Sequence, residues 1–564
     1  MNTSTAPRPP ITGVLGRLMA AASLAIACPV ATAQPADLIV TNAKVVTLDA
    51  KSTVAQALAV RDGRLLAVGD AATVGRLAGP ATRSVDAGGR TVIPGLIDSH
   101  LHGIRAALSY ATEVNWINTY TIAEAMARLK AKAAAARPGA WLIVAGGWTE
   151  QQFAEKRRPT LAEVMAAAPD NPVYIQLFYN SVLITPKGTE TLKLQAGAPP
   201  HGLTVERDAA GAATGWWGGS IVNISQLFDT LPQPTYQDHV AGTRQFLAEL
   251  NRLGVTGFVD TGGFSISAPQ YAALFQLWRE KAMTVRVAYH LFSQRRDTEL
   301  ADYQAATQLM PMGFGDDMLK FNGIGERITL SMYNNNFPNE EVKSRFYEAI
   351  RWAAERRMAV TVHWSENSSV GHLLDLFERV NREVPIAPLR WSVAHLENAS
   401  EENLKRMAAL GVGWTVQLST YYNGDALLAR TGEEARRMPP VVTARRLGVK
   451  VGGGSDAHRV ASYNPFLVLQ WLLSGRTVSG LQLRSPQETP SREDALRHYT
   501  IDAAWFSFDE HQRGSLEPGK LADFAVLDQD VMTVPLERIE RTQSLMTVLG
   551  GRVVHAVSPF AAPR

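Results

Sequence analysis

The sequence predicts an α/β protein: a TIM (β/α)8 barrel, a small β-sandwich domain built from both termini, and an inserted α/β subdomain. Three observations predict it. Eight short apolar runs alternate with amphipathic stretches through the middle of the chain, the pattern of parallel β/α units. Metal-type side chains close several of those runs, in VIPGLIDSHLH, AVTVHW, WSVAHLE and VGGGSDAH. Short β-branched runs broken by turns fill the stretch from Asp37 to Val92, and the same texture returns at the C-terminus.

Residues 1–33 read as a secretory signal peptide. Arg8 and Arg17 precede an apolar run from Leu18 to Ala27, no acidic residue occurs before Asp37, and Ala31-Thr32-Ala33 offers a small-x-small cleavage site before Gln34. The expected location is periplasmic or secreted, and the run is too short to span a bilayer, so no integral membrane segment remains after removal. Lipoprotein processing at Cys28, the single cysteine, is the alternative. Cleavage after Ala33 leaves a chain with no cysteine, which excludes disulfide-stapled and thiolate-ligated folds.

Residues 34–93 and 510–564 are assigned to the composite sandwich. Asp62-Gly63 between two alternating runs is a hairpin signal, and Gly550-Gly551 between SLMTVL and RVVHA is another. Residues 94–509 form the barrel, whose strands are VIPGLIDSHLH, GVTGFVDTGG, TVRVAYHLF, LKFNGIGE, MAVTVHW, LRWSVAHLE, LGVGWTVQLS and VKVGGGSD. The stretch of about 105–240 is too long for one crossover. It holds a helical pattern (TIAEAMARLKAKAAAA) and strand-like WLIVAGG and PVYIQLF, and reads as an insertion over the barrel mouth. The chain has 564 residues and a formal net charge of +3 without a basic block that would argue for nucleic acid; charge says little more about partners, and a small-molecule substrate is the expected one. A homodimer is left open.

A His-x-His pair at a strand end points both imidazoles to one side, so His100 and His102 converge. His363 and His395 are separated by one β/α unit of about 30 residues, and Asp456 lies two units further on. Strand ends of a (β/α)8 barrel meet at its C-terminal mouth. Imidazole and carboxylate without thiolate favour zinc over manganese, iron or nickel, with one or two divalent ions per chain. One ion takes His100, His102 and Asp456; a second takes His363 and His395, with an anion between them. Asp456, as ligand and proton carrier, is the expected catalytic residue.

PGLIDSHLH, the VHW and AHLE histidines, GGGSDAH, ALRHYTIDAAW and GSLEPGKLADFAVLD together resemble the amidohydrolase superfamily, in particular its YtcJ-like branch related to N-substituted formamide deformylases. The resemblance implies a metal-dependent hydrolase acting on a non-peptide C–N bond of an N-acyl or N-formyl amide; ester, lactone or cyclic amide hydrolysis, deamination, or binding without catalysis are the alternatives. Many relatives carry a bridging carboxylated lysine on the fourth strand. Here Lys320 stands near that place, but Glu326, at the end of GIGE, is favoured as the bridge. Trp148 in GGWTEQQF, Asn180 where relatives carry a histidine, and His458 are expected at the substrate. Trp216, Trp217, Tyr179 and Trp364 could form an apolar pocket wall with Trp148, against the commoner reading of such aromatics as core.

Overall fold

The computed structural model describes residues 34–194 and 202–561. The signal-peptide and Cys28 expectations therefore lie outside the described residues. The remainder from Pro35 onward forms one compact unit.

The predicted barrel strands all form. They are β1 (Leu96–Leu101), β2 (Val255–Asp260), β3 (Arg286–Leu291), β4 (Leu319–Ile324), β5 (Thr361–Trp364), β6 (Ser392–His395), β7 (Gly413–Val416) and β8 (Val451–Gly453). β1 to β4 pair in parallel and in sequence order, as do β5 to β8. A parallel bridge between Ile324 and Val360 joins the two halves. The barrel closes at its mouth, where the Asp456 N–H donates to the His100 carbonyl at 2.9 Å.

Helices cover the barrel because their apolar positions recur at helical spacing. In Asn367–Glu383 the buried set includes Val370, Leu373, Leu374, Phe377 and Val380. Ser400 caps Glu401–Leu410 through the Asn403 N–H, and Gly411, at φ 67°, ends that helix.

Two sheets share the second core, one wholly N-terminal and the other built from both ends of the chain. One has four strands between Leu38 and Asp86; the other has six and runs from Arg552–Ala556 to Val54–Ala55. Thr91–Pro94 is its pivot, parallel to Lys44–Val46 and antiparallel to Phe524–Leu527. Val40, Leu58, Val92, Phe524, Val526 and Met546 are buried together between the sheets. Both predicted hairpins form, with positive φ at Asp62 and Gly63 and at Gly550 and Gly551. The two turns abut, since a Cβ on Gly63 would lie 3.1 Å from the Gly550 carbonyl oxygen. Arg286, at the start of β3, ties this layer to the barrel through a buried two-pronged pair with Asp523, at 2.7 and 3.0 Å.

The insertion is built on a five-stranded sheet in the order Thr204–Arg207, Ala213–Gly218, Ser181–Ile184, Val173–Leu177, Leu142–Val144. Glycine-rich GAATGWWGGS supplies its second strand. Alternation sends Trp216 to one face and Trp217 to the other, each into a separate hydrophobic cluster. The chain returns to the barrel in the helix Tyr236–Arg252, where a Cβ on Gly242 would lie only 2.3 Å from the Ala107 carbonyl oxygen of Gly103–Ser109.

Candidate metal centre

The ends of β1, β5, β6 and β8 and the turn after β4 bring five predicted ligands around Glu326. The Glu326 Oε2 lies 3.4 Å from His100 Nε2, 3.2 Å from His363 Nδ1 and 3.5 Å from His395 Nε2. Its Oε1 lies 3.6 Å from His102 Nε2. Asp456 Oδ1 faces His102 Nε2 at 3.1 Å and His100 Nε2 at 3.6 Å. Two ligand atoms each about 2.0–2.1 Å from one tetrahedral ion stand about 3.3 Å apart. The observed separations fit that requirement.

Two ligand groups result: His100 with His102 and Asp456, and His100 with Glu326 and His395. Glu326 reaches both. His363 joins through Glu326, its ring 4.1 Å from that of His395 and stacked on Tyr333 at 4.6 Å. The His395 Nε2 is buried without a hydrogen-bond partner among the described residues, which a bound cation would supply.

Local backbone explains the aim of these side chains. His395 and Asp456 adopt left-handed φ values of 69° and 58°, costly for non-glycine residues and held by neighbours. The His395 N–H donates to Gln417 Oε1 at 2.8 Å, and the Trp414 Nε1–H donates to the His395 carbonyl at 2.5 Å. His102 Nδ1 stands 2.6 Å from the Gly262 carbonyl oxygen, so the Nδ1–H donates there and Nε2 is left to face the carboxylates.

Two largely buried carboxylates concentrate negative charge among the imidazoles. Burial opposes ionisation of Glu326 and Asp456, but the surrounding imidazoles outweigh it and hold both carboxyls well below the usual range. Burial also works against the His395 imidazolium, yet Glu326 and Asp456 push that ring up to about 9. Such a cluster draws positive charge, as a proton or as a divalent ion. Together, spacing, donor types and charge fit a divalent metal.

Lys320 is not part of this group. It sits early on β4 and its Nζ pairs with Asp509 Oδ1 at 2.5 Å. Lys320 is the second residue of β4, and a rise of about 3.3 Å per strand residue sets it well below the mouth, where Glu326 takes the central position.

The expected substrate residues divide. Asn180 lines a cavity of about 590 Å³ that also contacts His363, His395 and Asp456. Tyr179 lines a neighbouring cavity of about 650 Å³. Trp148 is a correction: it is fully buried in the core of the insertion, stacked on Phe153 at 5.6 Å, with its Nε1–H donating to the Gln176 carbonyl at 2.8 Å. Trp216, Trp217 and Trp364 are buried likewise. Large aromatic surface is most stabilising when buried, and these rings complete hydrophobic clusters instead of a pocket. His458 points away from the ligands, and its Nε2 meets Glu113 Oε2 of the insertion at 3.2 Å.

Several supporting residues escaped the sequence reading. Asp98 accepts the N–H groups of His100 at 3.0 Å and Ser455 at 3.1 Å, stitching β1 to the turn after β8; burial pushes its carboxyl up to about 7. Asp260 accepts from Ile104 at 2.7 Å and Gly262 at 2.8 Å, and burial raises it to about 6. Asp98 carried a signal, since it occupies the alternate position before His100 and His102. Gln417 and Glu113 carried none.

Among curated proteins, an N-substituted formamide deformylase from Arthrobacter pascens is 26% identical over 537 residues, covering 92% of this chain and 98% of that protein. Among solved structures, an uncharacterized metal-dependent hydrolase from Pyrococcus horikoshii OT3 superposes with a TM-score of 0.63 at 20% identity, covering 89% of this chain and 99% of that one. An adenosine deaminase from Xanthomonas campestris with bound zinc shares the fold at a TM-score of 0.51 and 15% identity, covering 92% and 93%. Residues 83–555 match the Amidohydrolase family, and with that match spanning most of its length the chain belongs to this family.

Proposed function

We propose that this protein is a metal-dependent hydrolase of a non-peptide C–N bond, on an N-acyl or N-formyl amide of a small molecule. The observation that carries the reading is Glu326, an anion within 3.6 Å of four imidazoles and beside a second carboxylate. The full-length similarity to a formamide deformylase supports the N-formyl end of this range and a place in the YtcJ-like branch. Zinc is the proposed metal, because imidazole and carboxylate donors without thiolate suit it. The signal-peptide pattern of residues 1–33 supports a periplasmic or secreted location.

His100, His102, His363, His395, Glu326 and Asp456 would hold the metal. A divalent ion there supplies a Lewis acid and lowers the pKa of water towards about 7. The Asp456 carboxylate accepts the proton of the attacking water and passes it to the leaving nitrogen. Asp456 starts the cycle as a carboxylate base. Asn180 faces the same cavity and offers an amide to orient the substrate.

The test is metal content of the protein beginning at Gln34, together with hydrolysis of N-formyl and N-acyl amines before and after chelation. Bound metal with chelator-sensitive amide turnover is expected. Metal without amide turnover would move the activity to esters, lactones or amino-substituted rings, and a protein that takes up no metal would end the reading.

A further inference from the structure

Of the four imidazoles around Glu326, His363 is the one whose aim its own strand leaves unfixed. His100, His102 and His395 expose no more than 7% of their side chains, whereas His363 exposes 18%. His102 is also turned by the short hydrogen bond from its Nδ1–H to the Gly262 carbonyl. His363 faces Glu326 with Nδ1, which as a ligand leaves the ring proton on Nε2, and there it meets only Ser365 Oγ at 3.4 Å, too long for a strong hydrogen bond. A histidine ligand ordinarily takes its orientation from the bond made by its other nitrogen. For His363 that source is weak, although a metal–ligand bond needs its distance held to within about 0.2 Å.

What holds this ring is the loop between β4 and the next helix, Glu340–Glu355. Tyr333 stacks on the imidazole, with centroids 4.6 Å apart and planes 28° from parallel, and is itself braced edge-on by Phe264 at 5.9 Å. Asn334, the next residue, holds the backbone just past the ligand: its Oδ1 accepts the Ser365 N–H at 2.8 Å. Asn336 repeats the device. Its Oδ1 accepts the Ser369 hydroxyl at 2.7 Å, and that hydroxyl receives the Nε1–H of Trp364, the neighbour of His363, at 3.1 Å. One loop thus touches the His363 ring and pins the chain that follows it.

We propose that Tyr333 and Asn334 are positioning residues of the metal centre: together they hold His363 Nδ1 towards the ion it shares with Glu326 and His395, and retention of that ion depends on them. The inference rests on the metal-hydrolase reading above, but not on which bond is cleaved. Tyr333 gives the imidazole an aromatic face, the arrangement in which two rings attract beyond the area they bury. Asn334 Oδ1 is the partner of the Ser365 N–H, a group that must bond somewhere when it leaves water. Neither device uses the tyrosine hydroxyl or the asparagine Nδ2, so phenylalanine and aspartate can replace them.

The experiment measures zinc retained by the zinc-loaded protein against a graded chelator, and the visible absorption of the cobalt-loaded form. Wild type is compared with His363→Ala, Tyr333→Leu, Asn334→Ala, Tyr333→Phe and Asn334→Asp. Residues that orient a metal ligand typically contribute about ten- to a hundredfold to affinity. Tyr333→Leu and Asn334→Ala should each weaken zinc retention by that factor and move the cobalt spectrum in the direction that His363→Ala moves it, while Tyr333→Phe and Asn334→Asp behave as wild type. Wild-type retention in Tyr333→Leu and Asn334→Ala, beside a loss in His363→Ala, overturns the proposal. So does a loss in Tyr333→Phe equal to that in Tyr333→Leu. Urea unfolding of the chelated proteins checks the fold, and Asn334→Ala carries the test if Tyr333→Leu misfolds. A wild type that takes up no zinc ends the metal reading and the positioning role with it. Turnover enters none of these readouts, so a failure of amide hydrolysis alone falls on the substrate reading and not on this one.

Discussion

Glu113 offers a measurable link between the insertion and the metal-bearing turn. Its carboxylate is buried, with His458 Nε2 at 3.2 Å and Arg459 Nη2 at 3.6 Å. Burial alone would raise its pKa, but His458 and Arg459 bring it down to about 2. Against an ordinary value near 4.5, that difference corresponds to at most about 3.4 kcal/mol of folded-state stabilisation. Burial also lowers the His458 imidazole, so near neutrality this ring donates without charge and Arg459 supplies the cation; a contribution of about 2 kcal/mol is the better figure. Because the folded pKa is depressed, the stabilisation is complete above about pH 4.5 and is lost as pH falls towards 2. Glu113→Gln removes the charge and keeps the shape. Urea unfolding of both proteins, chelated so that metal loss does not enter, should show a gap of about 2 kcal/mol at pH 7 that closes between pH 4.5 and 2. A gap that stays constant across this range, or that is already missing at pH 7, would refute the assignment.

Three further outcomes are expected. Asp456→Asn should lower kcat by a factor of about a thousand or more while far-UV dichroism stays unchanged, since it removes the proton carrier; an active variant would hand that role to another group. Lys320→Met should retain full metal content by plasma mass spectrometry, because its ammonium pairs with Asp509 and not with the cluster, whereas Glu326→Gln should lose metal. Trp148→Ala should destabilise the protein by about 3–5 kcal/mol in denaturant, the usual cost of emptying a large buried aromatic site, with unchanged substrate preference in the molecules that remain folded.

The barrel and its ligands were legible because both obey local periodicity. A strand exposes alternate residues to each side, so DSHLH, TVHW and SVAH each announce which residue reaches the mouth, while Asp456 was readable as a carboxylate just past the end of an apolar run. Glu326 was readable likewise, as the oxygen donor just past the β4 run, while Lys320 stands near the start of that strand. Hydrophobic aromatics carry no comparable address. Trp148 and Trp216 sit among glycines in sequence, which reads equally as a loop over a pocket or as a strand in a core. Only the tertiary packing of Trp116, Trp148, Phe153 and Trp216 separates the two.

His458 shows why the remainder was hidden. Its position two residues after Asp456 suggested a side chain in the same mouth, as period two requires within a strand. The strand, however, has already ended at Gly453, and Asp456 has a left-handed backbone, so alternation no longer applies. What fixes His458 is a distant part of the chain. A Cβ on Gly146 would lie 2.4 Å from the Arg459 carbonyl oxygen and one on Gly147 would lie 2.4 Å from that of His458, while the Gly147 N–H donates to the Arg459 carbonyl at 3.0 Å. The paired glycines of GGWTEQQF thus serve close backbone approach, and Glu113 closes the same contact from its other side. The insertion thereby holds the turn that presents Asp456, which makes it a support of the metal centre as well as a wall of its cavities.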